Sequence, residues 1–289
     1  MSFWEDLGGL NSMQKIVMID CSDEQGLVHK ITGVFYHNHL SVISNQEFVE
    51  EDGSGKFFMR TILEGDMDDT RIMNGLQGIL PADANIRIST KEKKNVVILV
   101  TKEHHALGEI LIKNQFNDLN INILGVIGNH NVLEKFVTQF GIPFHFISHE
   151  NKTREAHEAE VLAAIKAFSP DYVVLAKYMR ILSPEFVQHF SNKIINIHHS
   201  FLPAFIGANP YRQAFERGVK IIGATAHFVN NNLDEGPIIM QDVLHVNHSF
   251  TAAEMSQAGR DVEKAVLSKA LKLVFDDAVF VHGNKTIIL

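Results

Sequence analysis

KEKKNVVILVTKEHHALGEI, Lys91 to Ile110, carries the reading that decides the fold. Its first five residues, Lys91 to Asn95, form a short solvated charge run between two apolar strands, which marks a domain boundary. VVILVT follows, an apolar run without polar alternation, as expected of a strand buried on both faces of a parallel sheet. ALGEILIKNQF then takes helical spacing, the crossover that a second parallel strand requires.

Read toward the carboxyl end, the same alternation repeats. INILGVIG, PFHFIS, YVVLA and KIINI are short Val/Ile/Leu-rich runs, and VLEKFVTQF and REAHEAEVLAAIKAF are helical windows between them. The order from residue 95 to 197 is βαβαβαβ, a doubly wound, mainly parallel α/β sheet. A loop and a helix at PYRQAFERG come next. KIIGATAHFV and PIIMQDVLHV then form a hairpin across NNNLDEG, and a long helix, TAAEMSQAGRDVEKAVLSKALKLVF, precedes a last strand near KTIIL.

Read toward the amino end, the pattern differs. KIVMID is strand-like, Leu27, Ile31, Val34 and Phe35 take helical spacing, and LSVISNQEFV and KFFMRTIL flank the turn EEDGSG. A second helix with Ile72, Leu76, Ile79 and Leu80, and the strand ANIRIS, complete a βαββαβ ferredoxin-like unit. Helices cover one face of such a sheet, so its other face or an edge is expected to meet a second copy. The expected division is an arm at 1–12, a candidate for disorder, a small domain at 13–90, a linker at 91–95 and a large domain at 96–289.

Bulk properties narrow the partners. The 289 residues are 45% hydrophobic with a net charge of −8 and no Lys/Arg-rich block, so nucleic acid and anionic membrane are poor matches and small molecules come first. No apolar run approaches the roughly 20 residues that span a bilayer, and MSFWEDLGGLNS lacks the pattern of a secretion signal, so the cytoplasm is expected. The single cysteine, Cys21, ends an apolar strand and reads as packing.

Ligands of open parallel sheets bind beyond the carboxyl ends of the strands, near the reversal in strand order. The residues found there are Thr101 to His105, Gly128 to His130, Lys177 to Arg180 and Asn196 to Ser200; His104 and His105 are expected on an exposed loop or helix start. On an extended backbone Asn196 and His198 share one face, while Ile197 and His199 point the other way. Zinc would need His198, His199, His227 and a carboxylate such as Asp234 together, and adjacent strand residues diverge, so no metal is expected. NNNLDEGPI supplies Asp234 and Glu235 either as turn chemistry or as a carboxylate beside a histidine, where it can hold a water or exchange a proton.

NIHHSFLPAFIG, GATAHFV and LDEGPIIMQ, in this order and spacing, resemble the formyltransferase family that uses 10-formyl-tetrahydrofolate. The resemblance implies that Asn196, His198 and Asp234 are catalytic and that His227 orients Asp234 or fills the pocket wall. LAKYMRILSP implies that the backbone of Met179, Arg180, Ile181 and Leu182 hydrogen-bonds the pterin; Gly128 is a further substrate-binding candidate. Members of that family that formylate glycinamide ribonucleotide carry a glycine-rich phosphate turn after the first strand of this domain. Here VTKEHHALGEI has no glycine at the turn and puts Glu103 near the expected phosphate, which implies water as acceptor.

The small domain resembles the ACT regulatory module, with Asp23, Gly26 and Leu27 of SDEQGLVHKIT at its D-x-x-G-L loop. The two together, including GRDVEK, resemble the formyltetrahydrofolate deformylase family. That resemblance implies hydrolysis of 10-formyl-tetrahydrofolate to formate and tetrahydrofolate, formate supply for purine synthesis and balance of the one-carbon pool. It also implies no cofactor, a homo-oligomer, and amino-acid effectors such as glycine and methionine. Three rivals stand beside it: a transformylase with an amine acceptor, a folate-binding sensor without turnover, and a zinc-dependent amide hydrolase.

Overall fold

The computed structural model describes residues 14–51, 53, 55–204 and 210–289; the arm expected at 1–12 lies outside them. The chain divides into two compact units between Glu92 and Lys93, with residues 287–289, at the end of the last strand, grouped with the first. The first runs β1 (Gln14–Ser22), α1 (Leu27–His37), β2 (Ser41–Val49), β3 (Lys56–Glu64), α2 (Asp69–Gln77) and β4 (Asn85–Thr90). Its antiparallel sheet has the order β2-β3-β1-β4. Val17, Ile19 and Cys21 alternate along β1 and pack with Leu27, Ile31 and Phe35 of α1 and with Ile72 and Leu76 of α2. The Cys21 thiol is fully buried, and burial, then Asp83, pushes it up to about 11, the state of a packing residue rather than a nucleophile. Gly26 precedes α1 with φ 87°, in the left-handed region open to glycine. Asp68 caps α2 by accepting from the Thr70 and Arg71 N–H groups. The edge strand β2 exposes Val42, Ile43, Phe48 and Val49.

The second unit runs β5 (Lys94–Val100), α3 (His105–Gln115), β6 (Ile121–Gly128), α4 (Glu134–Thr138), β7 (Phe144–Phe146), α5 (Arg154–Phe168), β8 (Tyr172–Leu175), α6 (Pro184–Gln188) and β9 (Ile194–His198). It continues with α7 (Pro210–Arg217), β10 (Ile221–Phe228), β11 (Ile238–His245), α8 (Ala252–Phe275), β12 (Val279–His282) and β13 (Lys285–Ile288). The main sheet has the order β11-β10-β9-β8-β5-β6-β7, parallel from β9 to β7, with β10 and β11 antiparallel.

The unbroken apolar run of β5 has the expected cause. Val96, Ile98 and Val100 enter a core with Leu107, Ile110, Leu267 and Leu271, whereas Val97 and Leu99 enter another with Val161, Ile165 and Phe186. Each side chain fully buried in this way stabilises by roughly 1.5–3 kcal/mol, so both faces favour one strand register. From β5 the chain winds outward through β6 and β7, then returns to β8 and β9 on the other side. The strand order therefore reverses at the carboxyl ends of β5 and β8. Thr251 and Glu254 start α8 with a reciprocal capping box.

Local details depart from the sequence pattern. The crossover read in VLEKFVTQF is a helix of only five residues, because no side chain caps its start and Gly141, at φ 72°, turns the chain soon after its end. A short α6 follows Ser183, whose side chain accepts from Phe186 N–H, with Pro184 at the first helical position. The last strand is half of a hairpin, β12 with β13. Among the described residues no helix is long and apolar enough to cross a membrane.

Candidate active site

Asn196 and His198 lie on β9, and the antiparallel register sets Asn196 opposite His227 and His198 opposite Thr225 of β10. Directly opposed residues share a face, which brings Asn196 Nδ2 within 3.3 Å of His227 Nε2. A bulge in the β10–β11 pairing falls between Ala226 and His227, a device that re-aims a side chain. His227 Nδ1 donates to Phe228 O at 2.8 Å, so Nε2 is the acceptor for the Asn196 amide. Burial, only partly offset by that bond and by Asp234, lowers the His227 pKa and keeps the ring neutral.

Asp234 is supplied by the β10–β11 loop, which folds back over the sheet. Its Oδ2 lies 3.3 Å from His198 Nδ1 and its Oδ1 3.8 Å from His227 Nε2. Asp234 sits at φ 57°, a left-handed conformation that aspartate tolerates better than most residues. Two residues on, a Cβ on Gly236 would stand 1.7 Å from Phe228 O. Both readings of the D-x-G sequence therefore hold: it shapes the turn, and the turn delivers the carboxylate. Burial works to raise the Asp234 pKa, but the hydrogen bond and charge of His198, with His227 and His199, outweigh it and hold Asp234 below the usual carboxylate range. His198 Nε2 is buried without a partner among the described residues. An orphaned donor of this kind is costly unless a ligand completes it.

These four residues line a cleft of 450 Å³ together with Met179, Arg180, Ile181 and Leu182. Met179 and Ile181 expose more than half their surface, an apolar wall faced by Leu233 of the Asp234 loop. The segment is braced from three sides. Met179 N–H donates to Thr101 Oγ1 at 2.9 Å, Arg180 N–H donates to Tyr178 O at 2.8 Å, and Arg154 Nη2 donates to Ile181 O at 2.9 Å. Behind the cleft, Thr225 donates to Ser200 O and accepts from Leu202 N–H and Gln241 Nε2, tying the turn after β9 to the sheet.

Other expected residues lie elsewhere. Gly128 ends β6 outside the lining of this cleft, and its missing side chain is explained by packing, since a Cβ would meet Phe144 at 2.5 Å and His130 O at 2.7 Å. Asp23 and Gly26 are exposed in the first unit, whereas the Leu27 side chain is in the core, which leaves its backbone for any ligand. His199 does not turn away: β9 ends at His198, the alternation stops, and the His199 ring lines the cleft 5.2 Å from that of His198. His105 is buried rather than exposed, at the start of α3. Among the described residues no group of three or more His, Cys, Asp or Glu side chains is arranged to hold a metal.

Sequence reasoning missed Glu263. On α8 it is 1% exposed and accepts from His105 Nε2 at 2.9 Å and Tyr211 O–H at 2.7 Å, with Lys177 Nζ 3.1 Å away. Burial works to raise its pKa, but His105, Lys177 and Tyr211 together hold it at about 2. The available signal was its place on the apolar stripe of the helix, four residues after Gly259 and four before Leu267.

Residues 94–271 match the Formyl transferase family. Formyltetrahydrofolate deformylase of Escherichia coli K12 is 55% identical over 281 residues, covering 97% of this chain and 100% of that one. The crystal structure of a formyltetrahydrofolate deformylase from Pseudomonas syringae pv. tomato DC3000 superposes with a TM-score of 0.91 at 36% identity, over 97% of this chain and 96% of that one. Glycinamide ribonucleotide transformylase 1 from Symbiobacterium toebii gives a TM-score of 0.66 at 29% identity, over 71% of this chain and 98% of its own.

Proposed function

Because the chain belongs to the formyltetrahydrofolate deformylase family, we propose that its cleft hydrolyses 10-formyl-tetrahydrofolate to formate and tetrahydrofolate through Asn196, His198 and Asp234. The observation that carries this reading is the convergence of those side chains, with His227, on one cleft.

The pterin docks against Met179 to Leu182 and hydrogen-bonds the backbone groups that the bonds to Thr101, Tyr178 and Arg154 do not use. The formyl group then lies between Asn196, His198 and Asp234. Asp234, ionised at neutral pH, holds a water and accepts its proton on the carboxylate, since His198 and His227 already use both ring nitrogens; this carboxylate, with His198 beside it, is the proton relay. His198, its Nδ1 against Asp234, offers Nε2–H to the formyl oxygen. The Asn196 amide has one N–H on His227 Nε2 and presents the other to the same oxygen, so two donors receive the developing oxyanion. Collapse breaks the C–N bond, the relay returns a proton to the folate nitrogen, and formate leaves. The scheme balances with the site's own acid and base, so it calls on no metal or cofactor.

The turn after β5, which carries Glu103 and no glycine, supports water as acceptor over a phosphorylated amine; Glu103 borders a neighbouring cleft and is paired there with Arg260 at 3.8 Å. The test is formate release from 10-formyl-tetrahydrofolate with no amine present. Rapid release is expected, and strict dependence on an added amine would favour transfer instead.

Glycine and methionine are the proposed effectors of the first unit, through the Asp23 to Leu27 loop, and the exposed apolar residues of β2 support a homo-oligomer. Adding each amino acid to the formate assay checks regulation. The same reading puts the enzyme in the cytoplasm, as a source of formate for purine synthesis.

A further inference from the structure

We propose that Lys177, locked by Glu263, reserves the formyl carbon for water by closing the passage through which an amine acceptor would reach it. The inference rests on the hydrolytic reading and adds a specificity-determining residue to it. A second cleft of 330 Å³, bordered by Glu103, Tyr211 and Arg260, shares Lys177, Met179 and His199 with the folate cleft. With folate in the first cleft, a nucleophile larger than water has to approach from the second, past these shared residues.

Lys177 is built to stay at that junction. It is 4% exposed, and its ammonium is 3.1 Å from Glu263 Oε2, itself fixed by His105 from α3 and Tyr211 from α7. Its φ of 62° is a backbone state that glycine adopts freely and lysine rarely. A residue held in such a state by its surroundings points to function. The Lys177 charge also reaches the shared wall: burial first, and Lys177 next, push His199 down to about 4. A small primary amine is mostly an ammonium ion at neutral pH, so it meets the like charges of Lys177, Arg212 and Arg260, countered in part by Glu263 and Glu103, and a filled passage. Water meets neither barrier. Without Lys177, the amine nitrogen bonds to the formyl carbon and the carbon's bond to the folate nitrogen breaks. The proton lost by the amine passes through the relay to that nitrogen, giving a formamide and tetrahydrofolate.

The test supplies 10-formyl-tetrahydrofolate and glycinamide and measures N-formylglycinamide against formate. Two variants are compared with the natural chain: Lys177→Gly, which relieves the backbone, and Lys177→Gly with Glu263→Gln, which leaves no buried charge unpaired. The expected result is formate alone from the natural enzyme and a product ratio raised at least about tenfold in the variants. Folded variants that partition like the natural enzyme overturn the proposal. Should neither variant fold, the natural enzyme decides: uncharged hydroxylamine, little larger than water, is formylated well ahead of glycinamide, and equal rates for the two overturn it. Failure of the hydrolytic reading shows separately, as no formate from the natural enzyme in the absence of any amine.

Discussion

Replacing Gly236 by alanine tests whether the Asp234 loop is positioned by a single close approach. The added Cβ would stand 1.7 Å from Phe228 O and 2.9 Å from its carbon. A carbon–oxygen contact settles near 3.3 Å, so the loop and the strand have to part by about 1.5 Å. The strand side is anchored, because Phe228 N–H donates to Pro237 O at 2.9 Å and β10 is paired on both edges. The movement therefore falls on residues 229–236, which carry Asp234. A shift of that size takes the carboxylate, now 3.3 Å from His198 Nδ1, out of hydrogen-bond reach. Misplacement by about 1 Å costs on the order of a hundredfold in rate. Steady-state formate release should fall by about that factor, while thermal unfolding stays close to that of the natural protein, because residues 231–233 and 235 are exposed and only Val229 of this loop packs against a core. Turnover within about twofold of normal would refute the reasoning. A collapse of the melting temperature would show that Gly236 serves the fold rather than the carboxylate.

Other perturbations address the remaining parts of the site. Asp234→Asn keeps the left-handed backbone, since asparagine adopts it readily, and should lower formate release by about a thousandfold while folate still binds in calorimetry. Glu263→Leu leaves Lys177, His105 and Tyr211 facing a hydrocarbon and should cost about 3–5 kcal/mol in denaturant unfolding, with much of the loss recovered when Lys177→Met is added. His199 makes stability pH-dependent. Its folded value of about 4 lies below the ordinary 6.5, so the unfolded chain takes the proton first. Stability should fall by roughly 3 kcal/mol as pH drops from 6.5 to 4, and His199→Gln should flatten that part of the denaturant-midpoint profile.

Legibility followed the range of the interaction. The buried strands were readable because burial on both faces of β5 demands Val, Ile and Leu at every position, a local constraint with a local signature. Of the linker expected at 91–95, only residues 91–93 are exposed between the strands; Lys94 and Asn95 already belong to β5, and Lys94 pairs with Asp277, because a charge run does not disclose where strand pairing begins. Asn196 and His198 could be grouped by strand alternation alone, but the same rule misplaced His199, since it holds only while the strand continues. Gly128 looked like a ligand residue from its place at a strand end, yet Phe144 and the His130 carbonyl account for its lack of a side chain.

The sequence by itself determined the two architectures, the strand and helix order, and the short list of polar residues beyond the strand ends, because each depends on periodicity or on residues near in the chain. Only the tertiary structure decided that Asp234 meets His198 and His227, which required a loop folded back over the sheet and a glycine with no room for a Cβ. Only it disclosed Glu263, whose partners stand on α3, on α7 and after β8, far apart in sequence. A buried carboxylate is paired by whatever the fold brings to it, and that choice leaves no mark in the residues beside it.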